Sequence, residues 1–145
     1  MVKLSGEMAG RNDIEFDAVV SDLNALALTI PGLSQIEWPT QENFRGRMKL
    51  KLPVGMMTSR IEGSVKRGNG SLNIGIKGRV VNVAGGFEAT VLLTGESGHF
   101  AYELTAQFAG WLASLGDGLL QSIMTSQARE FEGNFVELLT VLNKK

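Results

Sequence analysis

The sequence predicts an α+β fold: a curved antiparallel sheet of six to seven strands with a long C-terminal helix packed across it. Two observations carry this expectation. From Phe44 to Phe108 apolar residues recur at every second position, and the runs are joined by short, turn-rich links. From Leu112 to Leu142 they recur at helical spacing instead.

The elements follow in order. Leu4, Gly6 and Met8 alternate with Lys3, Ser5 and Glu7, which predicts a first strand over 3–9. Asn12-Asp13 is suited to cap a helix carrying Ile14, Phe16, Val19, Val20 and Leu23, and Ile30-Pro31-Gly32 stops it. Gln35 to Trp38 is a short strand ended by Pro39. Next, Phe44, Gly46, Met48, Leu50 and Leu52 alternate with Arg45, Arg47, Lys49 and Lys51, giving one apolar and one wholly basic face. Further apolar faces begin at Met57, Leu72, Phe87 and Phe100. The links Pro53-Val54-Gly55, 67–70, Ala84-Gly85-Gly86 and 96–98 suit antiparallel hairpins, and they are too short for the crossovers that a parallel sheet needs. Finally Leu112, Leu115, Leu119, Ile123, Ala128, Phe131, Phe135, Leu138 and Leu142 form one stripe of a helix of about thirty residues, about 45 Å long. Gly116, Gly118 and Gly133 mark weak points in it.

The 145 residues fit one domain, 1–145, with 43% hydrophobic and 20% charged residues, a globular rather than a disordered composition. Cysteine is absent, which removes disulfides, thiolate metal sites and a cysteine nucleophile. The first residues carry no export signal and no apolar run reaches the ~20 residues of a membrane span, so the chain is expected to be cytoplasmic, at most peripheral at a membrane. Asn69-Gly70-Ser71 then reads as a hairpin turn rather than a glycosylation acceptor. The net charge of −1 hides an asymmetry: Arg45 to Arg79 holds nine basic residues and one acid, Glu62, while the rest holds five basic residues and fourteen acids.

The opening Lys3-Leu4-Ser5-Gly6-Glu7, Ile30-Pro31-Gly32, the glycine-punctuated strands and Leu112-Ala113-Ser114-Leu115-Gly116 running on to Phe131, Phe135 and Leu138-Leu139 resemble the carbon monoxide dehydrogenase G-subunit family, over nearly the whole chain. That family lies in the START-like (SRPBCC, helix-grip) superfamily. The resemblance implies an apolar cavity between helix and sheet, and a lipid- or quinone-handling accessory of a membrane-linked oxidoreductase such as carbon monoxide dehydrogenase. The sequence departs from the family pattern at Asn12-Asp13 and Phe16-Asp17, where others carry Ala-Pro and Trp. It also ends at Asn143-Lys144-Lys145 without the extended tail that anchors some members to membranes.

No catalytic residue, metal ligand or cofactor is assigned. His99, the only histidine, reads as a solvated turn residue with no acidic cluster beside it. Asp117 reads as a surface or capping group, and Glu130, Glu132 and Glu137 as a solvated helix face. Gly75-Ile76-Lys77-Gly78 lacks the spacing of a phosphate loop.

Two faces remain as candidate sites. Met48, Met57, Ile61, Ile76, Phe87, Val91, Tyr102, Leu104 and Phe108 are expected to face Leu115, Leu119 and Ile123 and to line a ligand cavity. The competing reading is a plain packed core. The small residues Ser59, Gly63, Gly78, Ala89 and Ala106 favour a cavity by leaving volume unfilled, adaptable methionines suit one, and the Tyr102 hydroxyl is a candidate handle for a ligand carbonyl. On the other face, Arg45, Arg47, Lys49, Lys51, Arg60, Lys66, Lys77 and Arg79 form a basic surface; all but Lys66 are taken as its partner-binding set. The competing reading is protection against aggregation. Anionic lipid headgroups or an acidic protein are the expected partners, the latter making the chain an adaptor that needs no ligand. Nucleic acid is not expected, because exposed aromatics are lacking.

Overall fold

The computed structural model describes residues 1–9, 16–53, 55–96 and 99–143. The chain runs β1 (Val2–Ala9), α1 (Phe16–Val20), α2 (Leu23–Ala27), β2 (Leu33–Glu37), β3 (Asn43–Leu52), β4 (Gly55–Gly68), β5 (Ser71–Val80), β6 (Gly85–Glu96), β7 (His99–Gly110), a 3-10 turn (Ala113–Leu115) and α3 (Asp117–Asn143). The strands form one antiparallel sheet in the order β1-β7-β6-β5-β4-β3-β2. Consecutive hairpins build six strands of it, and β1 closes the far edge against β7, pairing Val2 with Ala106 through Ala9 with His99. The expected cap at Asn12-Asp13, with Ile14, and the Val54 and Ser97-Gly98 turn positions lie outside the described residues, as do Lys144-Lys145.

Three elements differ from expectation. The first helical segment is two short helices, because Asp22 caps a new one: its carboxylate accepts a 3.0 Å hydrogen bond from the Ala25 amide. In β2, Gln35 has a φ of 54° and the register against β3 shifts between Ser34 and Glu37, so this edge strand is bulged. The C-terminal helix begins at Asp117 and not at Leu112. Gly116, at φ 91° and ψ 151°, is a conformation that ends one segment and redirects the chain. The 27 residues of α3 span about 40 Å.

The helix backbone comes nearest to β1, α1 and α2. Over the middle of the sheet α3 approaches the strands through its side chains. At one end Phe16, Phe100, Phe135, Phe131 and Tyr102 form a continuous aromatic chain with centroid spacings of 5.4–6.4 Å. A smaller apolar cluster of Leu50, Leu52, Met57, Val80 and Leu112 lies at the other end. The Asn134 side chain donates to the Thr29 carbonyl at 3.0 Å, tying α3 to the segment after α2. The inward side of α3 is Leu120, Ala128, Phe131, Phe135 and Leu139, with the half-buried Met124 packed against the same core; Leu119 and Ile123 are also only half-buried.

Candidate functional site

Between α3 and the middle of the sheet lies a hollow of about 80 Å³ with a wholly apolar exposed wall. Counted out to solvent, the cleft around it holds about 690 Å³ of space free of atoms. Its walls come from Met48 and Leu50 on β3, Ile76 on β5, Phe87, Ala89 and Val91 on β6, and Tyr102, Leu104 and Phe108 on β7. Ile30 and Pro31 close one side, and Met124, Gln127, Ala128 and Phe131 of α3 form the roof. The sheet residues are brought together by register: Phe87 stands opposite Phe108, Ala89 opposite Ala106, and Val91 opposite Leu104.

Of the expected lining, Met48, Ile76, Phe87, Val91, Tyr102, Leu104 and Phe108 line this hollow. Met57, Ile61, Leu115, Leu119 and Ile123 do not. Met57 belongs to the smaller cluster, against which Leu115 and Ile123 pack, and Ile61 is buried in the main core. The roof residues Met124 and Gln127 were missed because the stripe drawn through Ile123 takes a five-residue step to Ala128. Counting back from Phe131 by threes and fours leads to Ala128, Met124 and Leu120.

The glycines of the inward faces do not create the hollow. A Cβ at Gly63 would collide with the Phe44 ring, at Gly78 with the Phe87 ring, at Gly95 with Phe100 and at Gly6 with Tyr102. Each of these glycines stands directly opposite the aromatic residue in the ladder. The ring of one strand therefore lies over the bare backbone of the next, filling the space that composition alone leaves open. Ala89 does border the hollow, whereas Ala106 is packed in the core. The Ser59 hydroxyl, opposite Met48, is fully buried with no hydrogen-bond partner among the described residues.

Tyr102 is not free to act as a handle. Its hydroxyl donates to Glu132 Oε1, so Glu132 is not part of a solvated face; Glu130 and Glu137 are exposed as expected. Burial, with the hydrogen bond to Glu132 and its negative charge, pushes the Tyr102 pKa well above the usual phenol range. Gly6 makes the pair possible, since any Cβ there would strike both groups.

No group of three or more His, Asp or Glu able to hold a metal occurs among the described residues. His99 opens β7, and its Nε2 is 4.0 Å from Glu7 Oε1 on β1, both side chains being more than half exposed.

The outward face of the sheet carries the predicted basic residues in two distinct rows. One row alternates in sign: Glu37, Arg45, Glu62, Lys77 and Glu88 stand opposite one another from β2 to β6. Arg45 pairs with Glu37 at 3.0 Å and Lys77 with Glu88 at 3.8 Å. The adjacent row sets Arg47, Arg60 and Arg79 side by side across β3, β4 and β5. All three are exposed, and none has an acidic partner among the described residues. Lys49 and Lys51 continue the basic side of β3 toward its end.

Seven antiparallel strands beneath one C-terminal helix, with an apolar hollow between them, define a START-like, helix-grip protein. Solved structures of this fold superpose over most of the chain. A conserved protein of Geobacillus kaustophilus has a TM-score of 0.74 at 15% identity, covering 95% of this chain and 93% of that one. An aromatase/cyclase of a Streptomyces species has a TM-score of 0.65 at 12% identity, covering 96% and 92%. A protein of Thermus thermophilus has a TM-score of 0.64 at 15% identity, covering 97% of both. At these identities the likeness is one of fold. No curated protein matches the chain by sequence. The particular family is settled by its model, the carbon monoxide dehydrogenase G subunit (CoxG), which matches residues 10–139: the chain belongs to the CoxG family.

Proposed function

We propose that the protein binds and carries an apolar small molecule, quinone- or lipid-like, between α3 and the sheet, as an accessory to an oxidoreductase such as carbon monoxide dehydrogenase. The observation that carries the reading is the wholly apolar hollow beneath α3. The oxidoreductase enters through the family alone. The reading is of binding without catalysis: the polar side chains in its lining are Tyr102, whose hydroxyl is engaged with Glu132, and Gln127, an amide that is neither a general acid nor a general base.

Size sets a condition on it. About 80 Å³ is below the ~150 Å³ of a cavity that takes benzene, and far below the ~300–1,000 Å³ of drug-sized sites. A quinone therefore requires the site to open. Met48 and Met124, on opposite walls, have the flexible thioether side chains that can re-pack around a ring. Opening at the roof leaves the sheet hydrogen bonds intact, because those run from strand to strand and α3 takes no part in them.

Titration with menadione, followed by Trp111 emission, tests the reading, since Trp111 packs in the cluster that includes Phe87 and Phe108. Saturable quenching is expected, and Ala128→Phe, which fills the roof, is expected to abolish it without loss of folding. Quenching that never saturates, or that is equal in a folded Ala128→Phe variant, overturns it.

A further inference from the structure

We propose that the arginine row on the outward face binds a small molecule bearing a diphosphate, independently of the apolar hollow. The row is anomalous in its own sheet. Residues directly opposite on neighbouring strands have Cβ atoms ~4.5–5.5 Å apart, and like charges at that distance destabilise the pairing. One row along, the same strands follow the rule, alternating Arg45, Glu62, Lys77 and Glu88. Arg47, Arg60 and Arg79 break it with three cations in line and no acid between them. Protection of an edge from aggregation does not explain the row, because β4 and β5 lie in the sheet interior.

The row also ends in space that a ligand can fill. Beyond Arg79 the next positions across the sheet are Gly86 and Ala109, so the side chains shrink to almost nothing. Where they do, a groove of about 640 Å³ opens, lined by Arg60, Arg79, Lys77 and Gln107 and also by Glu62 and Glu88, with Arg47 next in the row outside it. Guanidinium forks match phosphate oxygens two at a time. A diphosphate offers terminal oxygens to several forks at once, where a single phosphate saturates sooner. The groove beyond them accommodates the rest of the molecule.

A compact anion fits better than a bilayer. A flat anionic surface laid on this face would meet all three acids of the adjacent row, Glu37, Glu62 and Glu88, whereas a diphosphate over the arginines meets Glu62 and Glu88 alone, with Lys77 between them. The site is narrower than the basic surface read from the sequence, since Arg45 is paired with Glu37 and Lys49 and Lys51 lie outside the groove.

Calorimetric titration of the full chain with inorganic pyrophosphate and with orthophosphate, at low ionic strength, tests this. Pyrophosphate is expected to bind at least tenfold more tightly than orthophosphate. The triple variant R47Q/R60Q/R79Q is expected to weaken it at least tenfold, while R45Q/K51Q, at two positions outside the groove, leaves it within twofold. Equal loss in both variants, or no pyrophosphate binding to the wild type, overturns the proposal. Binding to vesicles containing phosphatidylserine that pyrophosphate does not displace also overturns it, in favour of a membrane contact. None of these readouts involves menadione, so failure here leaves the carrier reading standing, and the reverse.

Discussion

Tyr102 shows how one residue's role depends on its neighbours. As the only tyrosine on an apolar strand face it invites reading as a ligand handle. Its hydroxyl instead closes on Glu132, thirty residues on, through a gap kept open by Gly6. The raised phenol pKa fixes the direction of its pH effect. Below the ordinary value of 10.0 the phenol is protonated in both states and its contribution is constant. Above 10.0 the unfolded chain releases the proton while the folded chain holds it, so stability is lost as pH rises further. Phenolate absorption, which only Tyr102 can give, is therefore expected to appear together with alkaline unfolding and not before it. Tyr102→Phe is expected to unfold about 1–2 kcal/mol more easily in urea at neutral pH, because it leaves the Glu132 carboxylate half-buried and unpaired. Titration of the folded protein near pH 10 would mean that the Glu132 contact is absent.

Among the elements, α3 decides whether the hollow exists. Its inward side is offset by one residue from the stripe read through Leu119 and Ile123, and that offset puts Met124 and Gln127 over the sheet. The offset has a measurable consequence. Leu120 is 4% exposed, so Leu120→Ala is expected to cost about 2–5 kcal/mol in urea unfolding. Leu119→Ala, at a half-buried position, is expected to cost clearly less. Equal costs would place the helix one residue out of its present orientation. The strands were legible almost whole, since a period of two survives any curvature of the sheet. The start of α3 was not: the apolar spacing runs unbroken from Leu112, and only the backbone of Gly116 shows that the chain turns before the helix begins.

For the molecule as a whole, the charge asymmetry resolves into geometry. The basic segment from Arg45 to Arg79 folds into β3, β4 and β5, which are neighbours in the sheet, so sequence clustering becomes a surface patch. Which charges neutralise each other is fixed by register, and register leaves Arg47, Arg60 and Arg79 facing one another. Relief of that repulsion is expected to raise the melting temperature of Arg60→Gln above wild type in low salt. The difference should close near 1 M salt, where the screening length falls to ~3 Å. A melting temperature unchanged at low salt would mean that the three side chains already splay apart.

The amino-acid order alone determined the seven strands, their hairpin connections, the long terminal helix, the basic character of one sheet face and the family to which the chain belongs. These are local or cumulative properties, written in periods of two and of three to four residues. Tertiary structure alone decided the volume of the hollow, the partner of Tyr102 and the pairing of the arginines. Each of those depends on a distance between residues far apart in the chain. A glycine reads as empty space until a ring from the neighbouring strand is seen lying across it, and a cation reads as free until its register partner is known.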